Sequence, residues 1–290
     1  MKLSVVMAHY KREEHLYNAL WGYRQLHFPE ELKDVEFVVV DDGGGKSETF
    51  WKVIKVHQNY LNITVGAMTG TRNPSLPMNF GLKLATGKIV VLTNAENIPL
   101  TPHLLTDISR RMDKLGDVYL SCGCYNLDAR ETKSILSKTD WTSRQKVVES
   151  LKKIRLVPRM GARGRAGWYN HSVYRPAHLY FLVAIRRSSL IKIGGFDEDY
   201  AKGRAFEDAD LIMRVRRSGV KVVTADDLVC IHPHHYNAAL DMTPERAVGL
   251  RLNQELYKAR CKNKGTFLAN AGRQWGNPRK AIVEKWDVND

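Results

Sequence analysis

Apolar runs that stop abruptly on polar residues recur along the first hundred positions. KLSVVMAHY and residues 35–40 are continuous rather than alternating, the pattern of strands covered on both faces. Residues 62–65 and 88–93 repeat it. Between them, 13–26 carries Leu16, Ala19, Leu20 and Tyr23 at helical spacing, and helices are also predicted over 48–57 and 74–85. Strands alternating with helices predict an α/β fold with a mostly parallel sheet flanked by helices. Such sheets bind ligands beyond the carboxyl ends of their strands. Three of these strands end in polar clusters: His9-Tyr10, Asp41-Asp42 and Asn94-Ala95-Glu96.

The alternation breaks between residues 129 and 175. Residues 138–175 hold ten Lys and Arg against only Asp140 and Glu149, and the centre, PRMGARGRAGW, has the composition of a mobile loop. Periodicity returns at 177–193 and is followed by GGFDEDY. A helix is predicted at 207–218 and a strand at 220–224; a short apolar segment, 228–231, runs into HPHH. Residues 251–285 are again basic, with Tyr257, Phe267 and Trp275 interspersed. The reading divides the chain into 1–125, 126–235 with a basic insertion at 130–176, and a basic extension at 236–290.

Composition changes this picture in one respect. The chain has 290 residues, 45 of them Lys or Arg and 31 Asp or Glu, a net charge of +14. That excess favours anionic partners such as nucleic acid, phospholipid head groups or phosphorylated substrates. Four cysteines, Cys122, Cys124, Cys230 and Cys261, are too few for a disulfide framework and suit a reducing compartment. The apolar run at 3–8 is too short for a signal-peptide core, and no run of about 18 apolar residues occurs. The expectation is a cytoplasmic protein, with peripheral attachment to a membrane as the variant.

The motifs in order resemble those of GT-A glycosyltransferases, family 2. SVVMAHYKR stands where that family has a phrase like S-V-I-I-P-T-Y-N-R, and VVVDDGG stands for V-V-D-D-G-S. TRNPSLPMNFGLKLATGKIVVL keeps Arg72, Asn79, Gly81, Ala85 and Gly87 in family order. GGFDE is unchanged, and FEDADLIMRVRRSGVKV matches E-D-x-D-L-x-x-R-x-x-x-x-G before the histidines of IHPHH. Each motif alone is weak; five in order are specific.

The resemblance implies a nucleotide-sugar donor site. Ala8, Tyr10 and Glu13 would surround the nucleoside, Asp41 or Asp42 would accept from the base, and Arg72 would face the base or diphosphate. The resemblance gives the side chain of His9 no role. Asn94-Ala95-Glu96 takes the place of D-x-D, whose carboxylates hold a divalent cation, manganese or magnesium. Here Asn94 offers an amide, so Glu96 would be the main metal ligand, with His232 completing the shell. Asp208, beside Glu207 at a helix start, would be the base that takes the acceptor's proton in an inverting displacement. Asp197 and Glu198 are read as structural or acceptor-facing, and Cys122 and Cys124 as core.

The activity the resemblance implies is transfer of a hexose or pentose from a nucleoside-diphosphate sugar, UDP-linked, to a hydroxyl of a saccharide or glycoconjugate. The charge keeps two further acceptors open: DNA carrying a hydroxylated base, as for phage-type enzymes, and a glycan at an anionic membrane surface. A nucleotide-sugar-binding protein without catalysis is the alternative of a different class, supported by the absent first aspartate and opposed by the retained Glu207-Asp208.

Overall fold

The computed structural model describes residues 3–26, 35–68, 71, 73–136, 150–151, 153–161, 165–235, 243–265, 267–278 and 281–286. In chain order the elements are β1 Leu3–His9, α1 Glu13–Arg24, β2 Val35–Asp41, α2 Glu48–His57, β3 Asn62–Met68, α3 Ser75–Leu84, β4 Ile89–Asn94 and β5 Ile98–Pro99. They continue with α4 Leu104–Leu115, β6 Val118–Asn126, α5 Ala129–Leu136, β7 Gly167–Asn170, β8 Leu182–Arg186 and α6 Arg187–Lys192. A 3-10 turn at Glu198–Lys202, α7 Glu207–Arg217, β9 Lys221–His232, α8 Pro244–Lys262 and β10 Ala281–Trp286 complete the chain.

All the strands join one sheet, ordered β10-β3-β2-β1-β4-β8-β6-β9-β5, with β7 on β6. β3, β2, β1 and β4 run parallel, as do β6 and β9. β8 enters antiparallel between β4 and β6, and β10 closes the β3 edge antiparallel. The mixed α/β layout with flanking helices is the one expected from the sequence pattern.

Both faces of the sheet are covered, which explains the continuous apolar runs. Val5 and Met7 of β1 pack with Leu16 and Leu20 of α1, Phe50 and Ile54 of α2, and Ile108 of α4. Val6, between them in sequence, points the other way toward Met78 and Leu82 of α3 and Leu211 of α7. The closeness of α3 requires glycine at 81, where a Cβ would lie 2.6 Å from Val6 Cγ1.

Three elements differ from the sequence reading. Helix α4, which that reading passes over, is plainly amphipathic: Leu104, Leu105, Ile108 and Met112 are buried. The two expected strands at 220–224 and 228–231 are one, β9, because a bulge opposite Cys122/Gly123 absorbs the intervening residues. The flanks of the expected loop at 158–168 are paired: Gly161 N–H donates to Trp168 O and Trp168 N–H to Arg159 O, both at 2.9 Å. Residues 162–164, its centre, lie outside the described residues. The segment after α8 packs on the body of the fold. Ala269 N–H bonds Ile193 O at 3.0 Å, and Asn270 Nδ2 donates to Gly194 O and Phe196 O.

Candidate functional site

The parallel register brings the three polar strand ends side by side. His9 lies opposite Asp41 across β1 and β2, and Ala8 opposite Asn94 across β1 and β4. The buried His9 ring stacks on Phe50 and donates from Nδ1 to Asp41 Oδ1 at 3.0 Å, while its Nε2 accepts from Arg12 N–H at 3.1 Å. Asp41 Oδ2 accepts from Gly45 N–H at 2.8 Å, closing a turn in which Gly44 and Gly45 have φ of 79° and 67°. Burial works against the Asp41 anion, but the bonds from His9 and Gly45 outweigh it and lower its pKa. Asp42, also buried, accepts from Thr71 N–H at 2.9 Å. Glu13 accepts from Ser47 Oγ at 2.7 Å, and Ser47 caps α2, so the starts of α1 and α2 are tied together.

Next to this row stands a cluster from three segments. Glu96 follows β4, Arg12 and His15 open α1, and His232 and His235 follow one another out of β9. Arg12 Nη1 donates to Glu96 Oε1 and to His235 Nε2, the latter at 3.1 Å. His235 Nε2 itself lies 3.4 Å from Glu96 Oε1. A guanidinium only donates, so His235 accepts at Nε2 and is neutral. Burial, then neighbouring charge, lowers the histidine pKa values: to about 4 for His15, about 3 for His232 and about 2 for His235. The three rings touch in series, His15 to His235 at 5.8 Å and His235 to His232 at 5.0 Å between centroids. Their Nδ1 atoms are buried without a hydrogen-bond partner among the described residues.

The second acidic centre opens α7. Ala205 and Phe206 both adopt left-handed backbone, φ 59° and 71°, directly before Glu207. Phe206 stacks on Tyr257 of α8, ring centroids 5.5 Å apart. Glu207 is buried and accepts from Asn73 Nδ2 at 3.2 Å; Asp208 Oδ1 accepts from Ala209 N–H at 2.7 Å. Burial and the neighbouring Asp208 push Glu207 up to about 8. Burial also raises Asp208, but Ala209 N–H and Arg175 favour its anion. The two adjacent carboxyls share one buried site and titrate as a pair, both raised by burial. Arg175 lies over the Tyr169 ring at 5.2 Å, and Tyr169 meets His232 at 5.4 Å, so the two acidic centres share a wall.

Ala8, Tyr10, Glu13, Asp41, Asp42, Asn94, Glu96 and His232 thus gather at one end of the parallel block, with Glu207 joined to it through Asn73. Arg72 lies outside the described residues. Arg12, His15 and Asn73 escaped the sequence reading, which gave the side chain of His9 no role and took His232 rather than His235 as the ligand. Asn73 adjoins Arg72 in the same motif, and His235 belongs to the HPHH run, so both had a signal; Arg12 had only its place in the opening phrase. Asp197 and Glu198 are committed within the fold: Asp197 accepts from Arg260 Nη2 at 2.6 Å, and Glu198 from Asn79 Nδ2 at 2.9 Å and Gly276 N–H at 2.7 Å. Cys122, Cys124 and Cys230 are buried in the core. No helix among the described residues is long and apolar enough to cross a membrane.

Carboxylate, amide and neutral imidazole are donors that manganese accepts. Glu96 Oε1 and His235 Nε2 face one point, and the unpaired His232 Nδ1 belongs to the same cluster, so the donor types fit a divalent cation. Among the described residues, though, no three such side chains are assembled as a ligand group. Arg12 stands between them.

The chain matches no curated protein sequence. Among solved structures it is similar to S. aureus TarS 1-349 in complex with UDP-GlcNAc, TM-score 0.64 at 17% identity, covering 91% of this chain and 67% of that one. TarS itself gives 0.58 at 18%, with 91% and 44% covered. The mannosyltransferase PcManGT from Pyrobaculum calidifontis, in complex with GDP-Man and Mn2+, gives 0.55 at 19%, with 89% and 64% covered. The chain therefore spans less than half of TarS and about two thirds of PcManGT, and at these identities the likeness establishes the GT-A fold. The sequence profile described as glycosyl transferase family 2 matches residues 4–167, more than half of the chain. With that match laid over the strand-end cleft, the chain belongs to glycosyl transferase family 2.

Proposed function

We propose that the chain moves a sugar from a nucleoside-diphosphate sugar, UDP-linked, to a hydroxyl of a saccharide or glycoconjugate in one inverting displacement. The observation that carries this reading is the buried acidic pair at the start of α7, tied by Asn73 to the strand-end cleft. Asp208 takes the acceptor's proton as its oxygen attacks the anomeric carbon, and the bond from that carbon to the diphosphate breaks. Glu207, pushed up to about 8 by burial and by its neighbour, adjoins that base. Ala8, Tyr10, Glu13, Asp41 and Asp42 border the nucleoside, and Asn94 and Glu96 border the diphosphate. A divalent cation would be held by Glu96 with His232 or His235, and would neutralise charge on the departing nucleoside diphosphate. The neighbours solved with UDP-GlcNAc and with GDP-Man and Mn2+ support donor and cation alike.

The test is a panel of nucleotide sugars, with and without manganese, read as release of nucleoside diphosphate. Release from at least one donor is expected. A chain that hydrolyses none of them, even slowly, is a binding protein and not the enzyme described here.

A further inference from the structure

Glu96 Oε1 and His235 Nε2 are the two atoms best suited to take a cation in this cleft, and both already hold one. Arg12 Nη1 sits on the pair. The base of Arg12 is fixed: its N–H is held by His9, which is held by Asp41, and its carbonyl accepts from Leu16 N–H in the first turn of α1. The side chain is less confined, with one third of it exposed. His15 and His232 line the same space, each with an unpaired ring nitrogen. A divalent ion binding to Glu96 and His235 needs the lone pairs that Arg12 uses, and two cations a few ångströms apart repel.

We propose that Arg12 is a built-in competitor for the divalent-cation site, occupying Glu96 and His235 until a metal ion displaces it. This deepens the donor-site reading above and rests on it for the meaning of the cation. Arg12 is a positioning residue in this account, acting on Glu96 and His235 rather than on the sugar. The device also compensates for the absent first aspartate of the D-x-D position. Glu96, the single carboxylate there, keeps a counter-charge when no metal is bound, so it need not stand buried and unpaired.

The probe is Mn2+ alone, titrated into the full chain without nucleotide, with free ion read by electron paramagnetic resonance. Arg12→Met, which keeps the stem and removes the charge, is expected to bind Mn2+ at least about tenfold more tightly than the native chain. Adding Glu96→Gln to Arg12→Met should abolish that gain. Equal or weaker binding by Arg12→Met, or a gain that survives Glu96→Gln, overturns the proposal. Arg12→Gln is the second variant should Arg12→Met fail to fold, with the same outcomes. The nucleotide-sugar panel on the native chain stands apart from these readings: no release there, together with tighter Mn2+ in Arg12→Met, overturns the enzyme reading and leaves the competitor in place.

Discussion

At Asp208 a single atom separates two fates for the site. Asp208→Asn keeps the shape and the bond from Ala209 N–H but cannot take a proton, so transfer should fall by about 10²–10⁴-fold while donor binding persists. Steady-state rates beside a donor titration check this, and full activity in that variant removes Asp208 from the role. Glu207 predicts a pH dependence of its own. Its pKa is raised from 4.5 to about 8 in the folded chain, so the folded state holds a proton that the unfolded chain releases. The resulting stability is complete below about pH 4.5 and is lost as pH rises through about 8. Thermal unfolding from about pH 5 to about pH 9 should show that decline in the native chain and a flatter profile in Glu207→Gln. His9 is the third case. Its removal leaves Asp41 buried with one partner fewer and Arg12 N–H without its acceptor. His9→Ala should therefore cost about 1–3 kcal/mol in urea unfolding.

Among the elements, the GGFDE segment shows what a motif can be for. Gly194 has φ of 80°, and a Cβ there would lie 2.1 Å from Ala269 O. The glycine lets residues 267–270 lie against the end of α6, and Asn270 then bonds the backbone on both sides of Gly195. Asp197 and Glu198 complete the clamp through Arg260, Arg273 and Gly276. Gly194→Ala should destabilise the chain by about 1–3 kcal/mol and expose the segment after α8 to protease. Unchanged stability and digestion would remove this account. The same comparison shows where sequence patterns succeed. Strands β1, β2 and β4 were legible because burial on both faces leaves no alternation to confuse. Helix α4 carried an equally clear spacing, but the sequence reading makes no prediction there. Gly194 was legible only as a motif, because its reason lies some 75 positions away in the chain.

For the whole molecule, charge and topology act at different ranges. A net charge of +14 makes low-salt retention on DNA or another polyanion the expected behaviour, falling steeply between about 50 and 200 mM salt. Retention that ignores salt would locate the contacts elsewhere than in Lys and Arg. Liposome-dependent binding would point instead to a membrane-surface acceptor. Local sequence determined much else: the strand and helix alternation, the polar strand ends, and the glycosyltransferase motifs around Asp41-Asp42, Glu96 and Glu207-Asp208. Those follow from hydrophobic period and residue chemistry within short windows. Only the tertiary structure decided who meets whom. Parallel pairing set His9 against Asp41, the pairing of Ile98 with Ile231 carried HPHH to Glu96, and the chain's turn into α1 put Arg12 on both Glu96 and His235. A side chain's charge is written at its own position, but its partner is chosen by packing across 84 residues in one case and 223 in the other. The sequence therefore offered Glu96 as a candidate cation ligand by resemblance, while the fold alone paired it with Arg12.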